Sequence, residues 1–173
     1  QRTFLIVEYG VETCNDKTLQ LINRGHNFAC ACNAIEKTAN RGIRVGAHII
    51  LGLPGEDAEE SLRQAPIISS LPLTTLKIHQ LQIIRGTSLA KMYAESPFHL
   101  YTVEEYIELI AKYIRLLRPN LILERFVSQS PPDLLIAPKW GLKNYEFTHR
   151  LHNYMKETSE STNYQKYKTK RIH

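Results

Sequence analysis

Ile43-Arg44-Val45-Gly46-Ala47-His48-Ile49-Ile50-Leu51-Gly52-Leu53-Pro54-Gly55-Glu56 is the stretch that decides how this chain folds. Residues 43–51 are rich in β-branched side chains and nearly continuous in apolar ones. Without strict alternation, such a run predicts a strand covered on both faces, the habit of parallel sheets. A glycine turn follows, and then Glu56, Asp57, Glu59 and Glu60, acids suited to the positive end of a helix dipole. The unit is therefore strand, turn, helix.

The same pattern recurs on either side. Segments 4–11, 75–84 and 121–127 also read as strands, and helical periodicity lies between them. Asn15 or Asp16 can cap a short helix through Leu19 and Ile22 that stops at Gly25, and a second helix runs from about Asn27 to Arg41 and stops at Gly42. Pro66 predicts a kink or an early end in the helix that starts near Glu56. Thr102 and Glu105 form a capping-box pattern ahead of Tyr106, Ile107, Ile110, Ile114 and Leu117, and Arg118-Pro119 closes that helix. A last amphipathic stretch occupies about 140–157.

Strands alternating with helices imply parallel βα units with right-handed crossovers. Four strands are too few to close a barrel. The expected fold class is α/β: a partial (β/α) barrel, an open arc of about four parallel strands whose edges would pair with further strands or with another copy of the chain. Residues 1–100 carry most of the arc, 101–158 are a helical and strand extension of the same domain, and 159–173 are a basic flexible tail.

Composition narrows the setting. Hydrophobic content of 43% with 23% charged residues over 173 residues is that of an ordinary folded domain. No apolar run is long enough for a membrane span, and the start lacks the features of a signal peptide, so a cytoplasmic location is expected. The chain opens without methionine and enters a strand almost at once, which suggests that upstream material is missing. The formal charge is +5, with Lys156, Lys166, Lys168, Lys170 and Arg171 outnumbering Glu157 and Glu160 near the end. That tail reads as a phosphate-backbone contact or as a solvated terminus.

Ligands of parallel α/β folds bind at the C-terminal ends of the strands. The informative residues are then Glu12-Thr13, Gly52 to Glu56, and Arg85-Gly86-Thr87. The turn at Gly52 lacks the lysine and hydroxyl of a phosphate loop, and the acids beyond it would repel an anion. Strand parity puts His48, Ile50 and Gly52 on one face: a polar group, an apolar surface and a gap for close approach, suited to a nucleoside. Glu8 shares a face with Gly10 and Glu12 and reads as a polar contact inside the barrel or as half of a structural pair.

Three runs together carry a resemblance. Val7-Glu8-Tyr9-Gly10-Val11-Glu12-Thr13-Cys14-Asn15-Asp16, with Ile22-Asn23-Arg24-Gly25-His26 beyond it, resembles the fourth strand and following helix of radical S-adenosylmethionine (SAM) enzymes. Ala47 to Glu56 resembles their fifth strand, and Leu81 through Gly86-Thr87-Ser88-Leu89 their sixth. The nearest likeness is to an Fe-S oxidoreductase branch whose C-terminal module is related to that of the elongator catalytic subunit, and 134–142 also suits it.

The resemblance implies that this is the C-terminal half of such an enzyme. Glu12 would touch the SAM ribose, Arg24 would pair with the methionyl carboxylate, His48 would add a second ribose contact, and Ile50 and Leu81 would flank the adenine, with Gly52 giving close approach. It implies SAM and a [4Fe-4S] cluster as cofactors, a reductant such as flavodoxin or ferredoxin, and, with the basic tail, a nucleic-acid partner such as a tRNA wobble uridine. Glu12 stands where glutamine is commoner; a glutamate is the better ribose acceptor but repels the SAM carboxylate. His48 stands where some branches have an acid, and its hydrogen bonding depends on its tautomer.

The CxxxCxxC motif of the family is absent. Cys30 and Cys32 on a helix point to opposite sides and cannot chelate one ion, so these and Cys14 read as incidental thiols. His149 and His152 read as a surface pair, and Trp140 as an anchor for the last helix or a stacking platform for a base. A non-enzymatic RNA-binding or assembly module and a barrel enzyme with a phosphorylated substrate are the alternative functions.

Overall fold

The computed structural model describes residues 4–158. Its elements, in chain order, are β1 (Ile6–Glu12), α1 (Asp16–Leu21), α2 (Phe28–Ala39), β2 (Arg44–Leu51), α3 (Ala58–Ser70), β3 (Thr75–Gln80), β4 (Ile83–Ile84), α4 (Ser88–Glu95), α5 (Val103–Arg115), β5 (Ile122–Arg125), β6 (Leu135–Ala137) and α6 (Asn144–Glu157). One open sheet holds four parallel strands in the order β1-β2-β3-β5, and β4 pairs with β6 in a separate antiparallel sheet. The expected partial barrel is thus the observed arc.

Parity on β2 shows how the sheet is covered. Val45, Ala47, Ile49 and Leu51 are buried in the core shared with the helices, whereas Arg44, His48 and Ile50 remain partly open on the opposite face. The apolar run predicted cover on both faces; among the described residues the helices cover one. The other face is an inner wall, and it carries the polar residues that later matter.

Local signals set the helix ends. Asn15, Asn27, Asp57, Thr87 and Thr102 each accept a backbone N–H with the side chain as N-caps, and Thr102 with Glu105 completes the capping box. The stripe on α5 buries Tyr106, Ile110, Ala111, Tyr113 and Ile114 completely. Each large apolar side chain there contributes roughly 1.5–3 kcal/mol by leaving water. The Tyr106 hydroxyl donates to Phe126 O at 3.0 Å, tying that helix to the end of β5.

Three expectations change and one helix is new. Pro66 neither ends nor visibly shortens α3, which runs on to Ser70; Ala65 and Ile68, both fully buried, hold the helix to the sheet across the missing N–H. Segment 75–84 is two strands, because Leu81 N leaves the ladder after donating to Leu51 O at 3.1 Å and Ile83 then pairs with Ala137. The strand expected over 121–127 ends at Arg125, since Phe126 N donates to Asn144 Oδ1 at 3.0 Å. Helix α4 was not foreseen at all.

The division at residue 100 is not a break in the fold: β5 completes the first sheet and β6 the second. Arg118 binds the end of α3, donating to Ser69 O, Leu71 O and Leu73 O. No helix among the described residues is long and apolar enough to cross a membrane. The basic tail at 159–173 lies outside the described residues.

Candidate functional site

At the last residue of β1 the chain takes an unusual turn. Glu12 has φ of 63°, in the left-handed region, and its carboxylate is 3.4 Å from Arg24 Nη2. Arg24 also donates to Gly10 O at 2.9 Å and to His26 Nε2 at 3.2 Å. A Cβ on Gly10 would come within 2.6 Å of both Arg24 Nη2 and Glu12 Oε1, so glycine at this place is what lets the pair form. Burial pushes the Glu12 carboxyl up from its ordinary value, and the positive charge of Arg24 offsets part of that.

The turn after β2 has a structural task. Gly52 has φ of +84°, and a Cβ there would meet the Tyr101 ring at 2.9 Å. The gap expected to admit a ligand is therefore filled by the protein's own tyrosine. Glu56, expected as a dipole-facing acid, is 8% exposed and accepts the Thr13 hydroxyl at 2.6 Å. Cys14 N donates to Gln64 Oε1 at 2.9 Å in the same cluster, and burial pushes Glu56 up. This buried carboxylate at the start of α3 reinforces the reading that the turn is no phosphate loop.

A cavity of about 420 Å³ opens at the ends of β2 and β3. Ile50, Leu53, Leu81 and Leu89 make its apolar walls, and Asn23, His79 and Ser128 give it polar points. Both residues expected to flank an adenine thus face one space. Gln80 shapes its floor by pairing with the Ser128 backbone in both directions, Nε2 donating to Ser128 O at 3.1 Å and Ser128 N donating to Oε1 at 2.8 Å. The size and mixed lining are those of a small-molecule site.

On the inner wall a row of charged and imidazole groups crosses all four strands. Lys77 donates to Glu8 and lies 3.4 Å from Glu124; His48 Nε2 is 3.0 Å from Glu8. His48 stacks on His79 with centroids 5.5 Å apart, and Arg125 donates to His79 Nε2 at 3.0 Å. Burial, then the charge of Arg125, lowers His79 to about 4, which keeps it neutral. Glu8 is held below its ordinary value, chiefly by the Lys77 hydrogen bond. Of its two readings, the paired one is observed.

All the predicted residues but Gly52 fall into three places. Ile50 and Leu81 line the cavity, Arg24 directly follows its wall residue Asn23 and meets Glu12, and His48 stands in the inner row. Gly52 lies behind, against Tyr101. Sequence reasoning missed Asn23, His79 and Ser128. The parity applied to β2 would have found His79 on β3, and the left-handed φ of 57° at Asn23 suits its residue type. Ser128, in a loop, carried no signal.

The thiols stay apart from this chemistry. Cys14, Cys30 and Cys32 are free, burial pushes the Cys14 thiol up to about 12, and among the described residues no three His, Cys, Asp or Glu side chains gather around a metal position. Trp140 donates to Tyr101 O at 3.2 Å and stacks on Phe147, the anchoring role rather than a base platform.

Comparison with known proteins bears on what this geometry serves. The model of the Radical SAM superfamily matches residues 3–63, and that of the Radical_SAM C-terminal domain matches residues 73–157. The protein YtqA of Bacillus subtilis is 34% identical over 146 residues, 84% of this chain and 45% of YtqA. The tRNA uridine(34) acetyltransferase of Methanocaldococcus jannaschii is 27% identical over 154 residues, 87% of this chain and 28% of that protein. The solved structure of Methanocaldococcus infernus Elp3 with an N-terminal deletion superposes with a TM-score of 0.80 at 23% identity, covering 90% of this chain and 36% of that one; it shows a shared fold. The chain spans about half the length of the first of these curated relatives.

Proposed function

Because the chain belongs to the radical SAM superfamily, we propose that it forms the wall against which a radical SAM enzyme holds S-adenosylmethionine. The observation that carries this reading is the cavity at the ends of β2 and β3, walled by Ile50 and Leu81 and lined also by Asn23, the chain neighbour of the cationic Arg24. In it the adenine lies between Ile50 and Leu81, Arg24 takes the methionyl carboxylate, and Glu12 and His48 accept or donate at the ribose. A nucleoside between branched aliphatic walls is oriented by a few polar contacts, which is what the lining offers. Gly52 acts from behind, keeping the turn that presents Leu53.

The donors in this chain do not fit an iron–sulfur cluster: the described residues hold no gathering of three ligands, and the cysteines lack the spacing. In the superfamily such a cluster supplies the electron that cleaves the SAM sulfonium and yields a 5′-deoxyadenosyl radical, and the protein's share is orientation and the exclusion of side reactions. That share is what the residues above would provide. The electron would come from a small reductant protein such as flavodoxin or ferredoxin, and the outer position of β1 in the sheet, with exposed Phe4 and Leu5 just before it and Ile6 at its start, suits an edge completed by further strands or a second copy.

For the substrate we propose a tRNA base, a wobble uridine in the first instance. The support is the similarity to a protein whose name is tRNA uridine(34) acetyltransferase and the net charge of +5. Binding to tRNA should then weaken steeply with salt; salt-independent affinity, or none, removes the substrate reading. The deciding experiment on the chemistry is anaerobic reconstitution of the intact protein with iron, sulfide, SAM and a reductant. 5′-Deoxyadenosine is expected from it and none from the 173-residue chain alone; no product from a protein with a verified cluster would sink the assignment.

A further inference from the structure

We propose that Glu12 and Arg24 are a partner-exchange pair, in which Glu12 holds the guanidinium as an internal stand-in until the carboxylate of an amino-acid-bearing nucleoside displaces it. This rests on the SAM reading and adds to it a competition within the site.

Four observations build the pair. The carboxylate and guanidinium are 3.4 Å apart, with the acid side chain 17% exposed and the arginine 36%. Gly10 leaves the room they need, since a single added carbon would strike both. Arg24 is fixed in direction by Gly10 O and His26 Nε2, contacts that do not depend on Glu12. Asn23, its chain neighbour, lines the cavity, so the Arg24 backbone adjoins the space where the ligand would lie.

The contact at 3.4 Å is an ion pair without a close hydrogen bond, so a second carboxylate can compete for it. Once Arg24 changes partner, Glu12 is left as a mostly buried carboxylate, which is unfavourable unless a donor reaches it. A ligand hydroxyl supplies that donor. The exchange therefore favours a ligand with both a carboxylate and a hydroxylated sugar over one with either alone, and glutamate at this position makes discrimination sharper at some loss of affinity. Glutamine would keep the acceptor oxygen and remove the competing charge.

The groups facing Glu12 are Arg24 and His26 from the loop after α1 and His48 from β2. Burial raises the Glu12 carboxyl, so as pH falls it becomes neutral before an ordinary carboxylate does and releases Arg24 to the ligand, whose own α-carboxylate stays ionised. The difference between the wild type and Glu12→Gln therefore reports the charge at position 12 together with its coupling to these neighbours.

The test measures binding, not turnover, by anaerobic equilibrium dialysis of the intact reconstituted protein. S-adenosylhomocysteine is the probe with a carboxylate, and 5′-methylthioadenosine the probe without. At pH 8, Glu12→Gln should bind S-adenosylhomocysteine about five-fold more tightly than the wild type, the worth of one partly exposed ion pair, and 5′-methylthioadenosine no more tightly. The gap should close toward pH 5 as wild-type affinity rises. In an Arg24→Gln background, Glu12→Gln should tighten S-adenosylhomocysteine by less than it does with Arg24 present. Equal or weaker binding by Glu12→Gln, or the same change for both probes, overturns the exchange and leaves the SAM reading standing. No S-adenosylhomocysteine binding by any of these proteins overturns both.

Discussion

The Thr13 hydroxyl donates to the buried Glu56 carboxylate at 2.6 Å, joining the end of β1 to the start of α3. The contact closes the rim on which the candidate site stands, because Glu12 directly precedes Thr13 and the Gly52 turn directly precedes Glu56.

Thr13→Val removes the donor and leaves Glu56 and Gln64 buried without it. Unfolding free energy should drop by about 1–3 kcal/mol, read from the shift in urea midpoint at constant slope. The same cluster sets a pH dependence. Burial raises Glu56 in the folded state, so the folded protein binds the proton more readily than the unfolded chain. Stability should therefore fall as pH rises from the ordinary carboxylate range through the raised value. Glu56→Gln should flatten that slope; an unchanged slope would show that another group causes it.

Gly52→Ala meets two obstacles, a φ of +84° and the Tyr101 ring at 2.9 Å. Together they should lower stability by about 2–4 kcal/mol. In a Tyr101→Ala background the steric part disappears and the conformational part remains, so thermal unfolding should show a smaller but nonzero cost. Additive losses would mean that the ring does not confine the glycine.

His79 should stay neutral across the physiological range, titrating near 4 by NMR, with its proton on Nδ1 because Arg125 donates to Nε2. Since the unfolded imidazole titrates at its ordinary higher value, this group's contribution to stability is lost as pH falls through that value toward 4. Arg125→Met removes a nearby positive charge and should move the titration upward. A His79 that titrates near 6.5 in the wild type would contradict the buried geometry.

Cysteine reactivity should follow environment. Cys30 is exposed, whereas burial holds the Cys14 thiol at about 12. Iodoacetamide at pH 8 should label Cys30 first and reach Cys14 only after unfolding, as peptide mass spectrometry would resolve. Early labelling of Cys14 would place it outside the core.

Much of the architecture was legible because it is written in local signals. Continuous β-branched runs marked the strands around Val45 and Ile78, and capping residues such as Asn27 and Thr102 marked helix starts, since both effects act over a few neighbours. Helix α4 escaped because its apolar residues serve a small second core made with Leu53, Leu81 and Ile83. The break after Gln80 escaped for a related reason: buried strands on either side of a bend look alike in hydropathy.

The site divided along the same line. Parity determined, from the chain alone, that Ile50 and His48 share one face, the strand end singled out Glu12, and the family resemblance added Arg24 and Leu81. Only the tertiary structure decided that Glu12 meets Arg24 through the gap at Gly10, that Tyr101 fills the space beside Gly52, and that Arg125 fixes His79. Those outcomes depend on side chains far apart in sequence reaching the same few ångströms. Periodicity reports which face a residue takes, and packing alone selects its partner there.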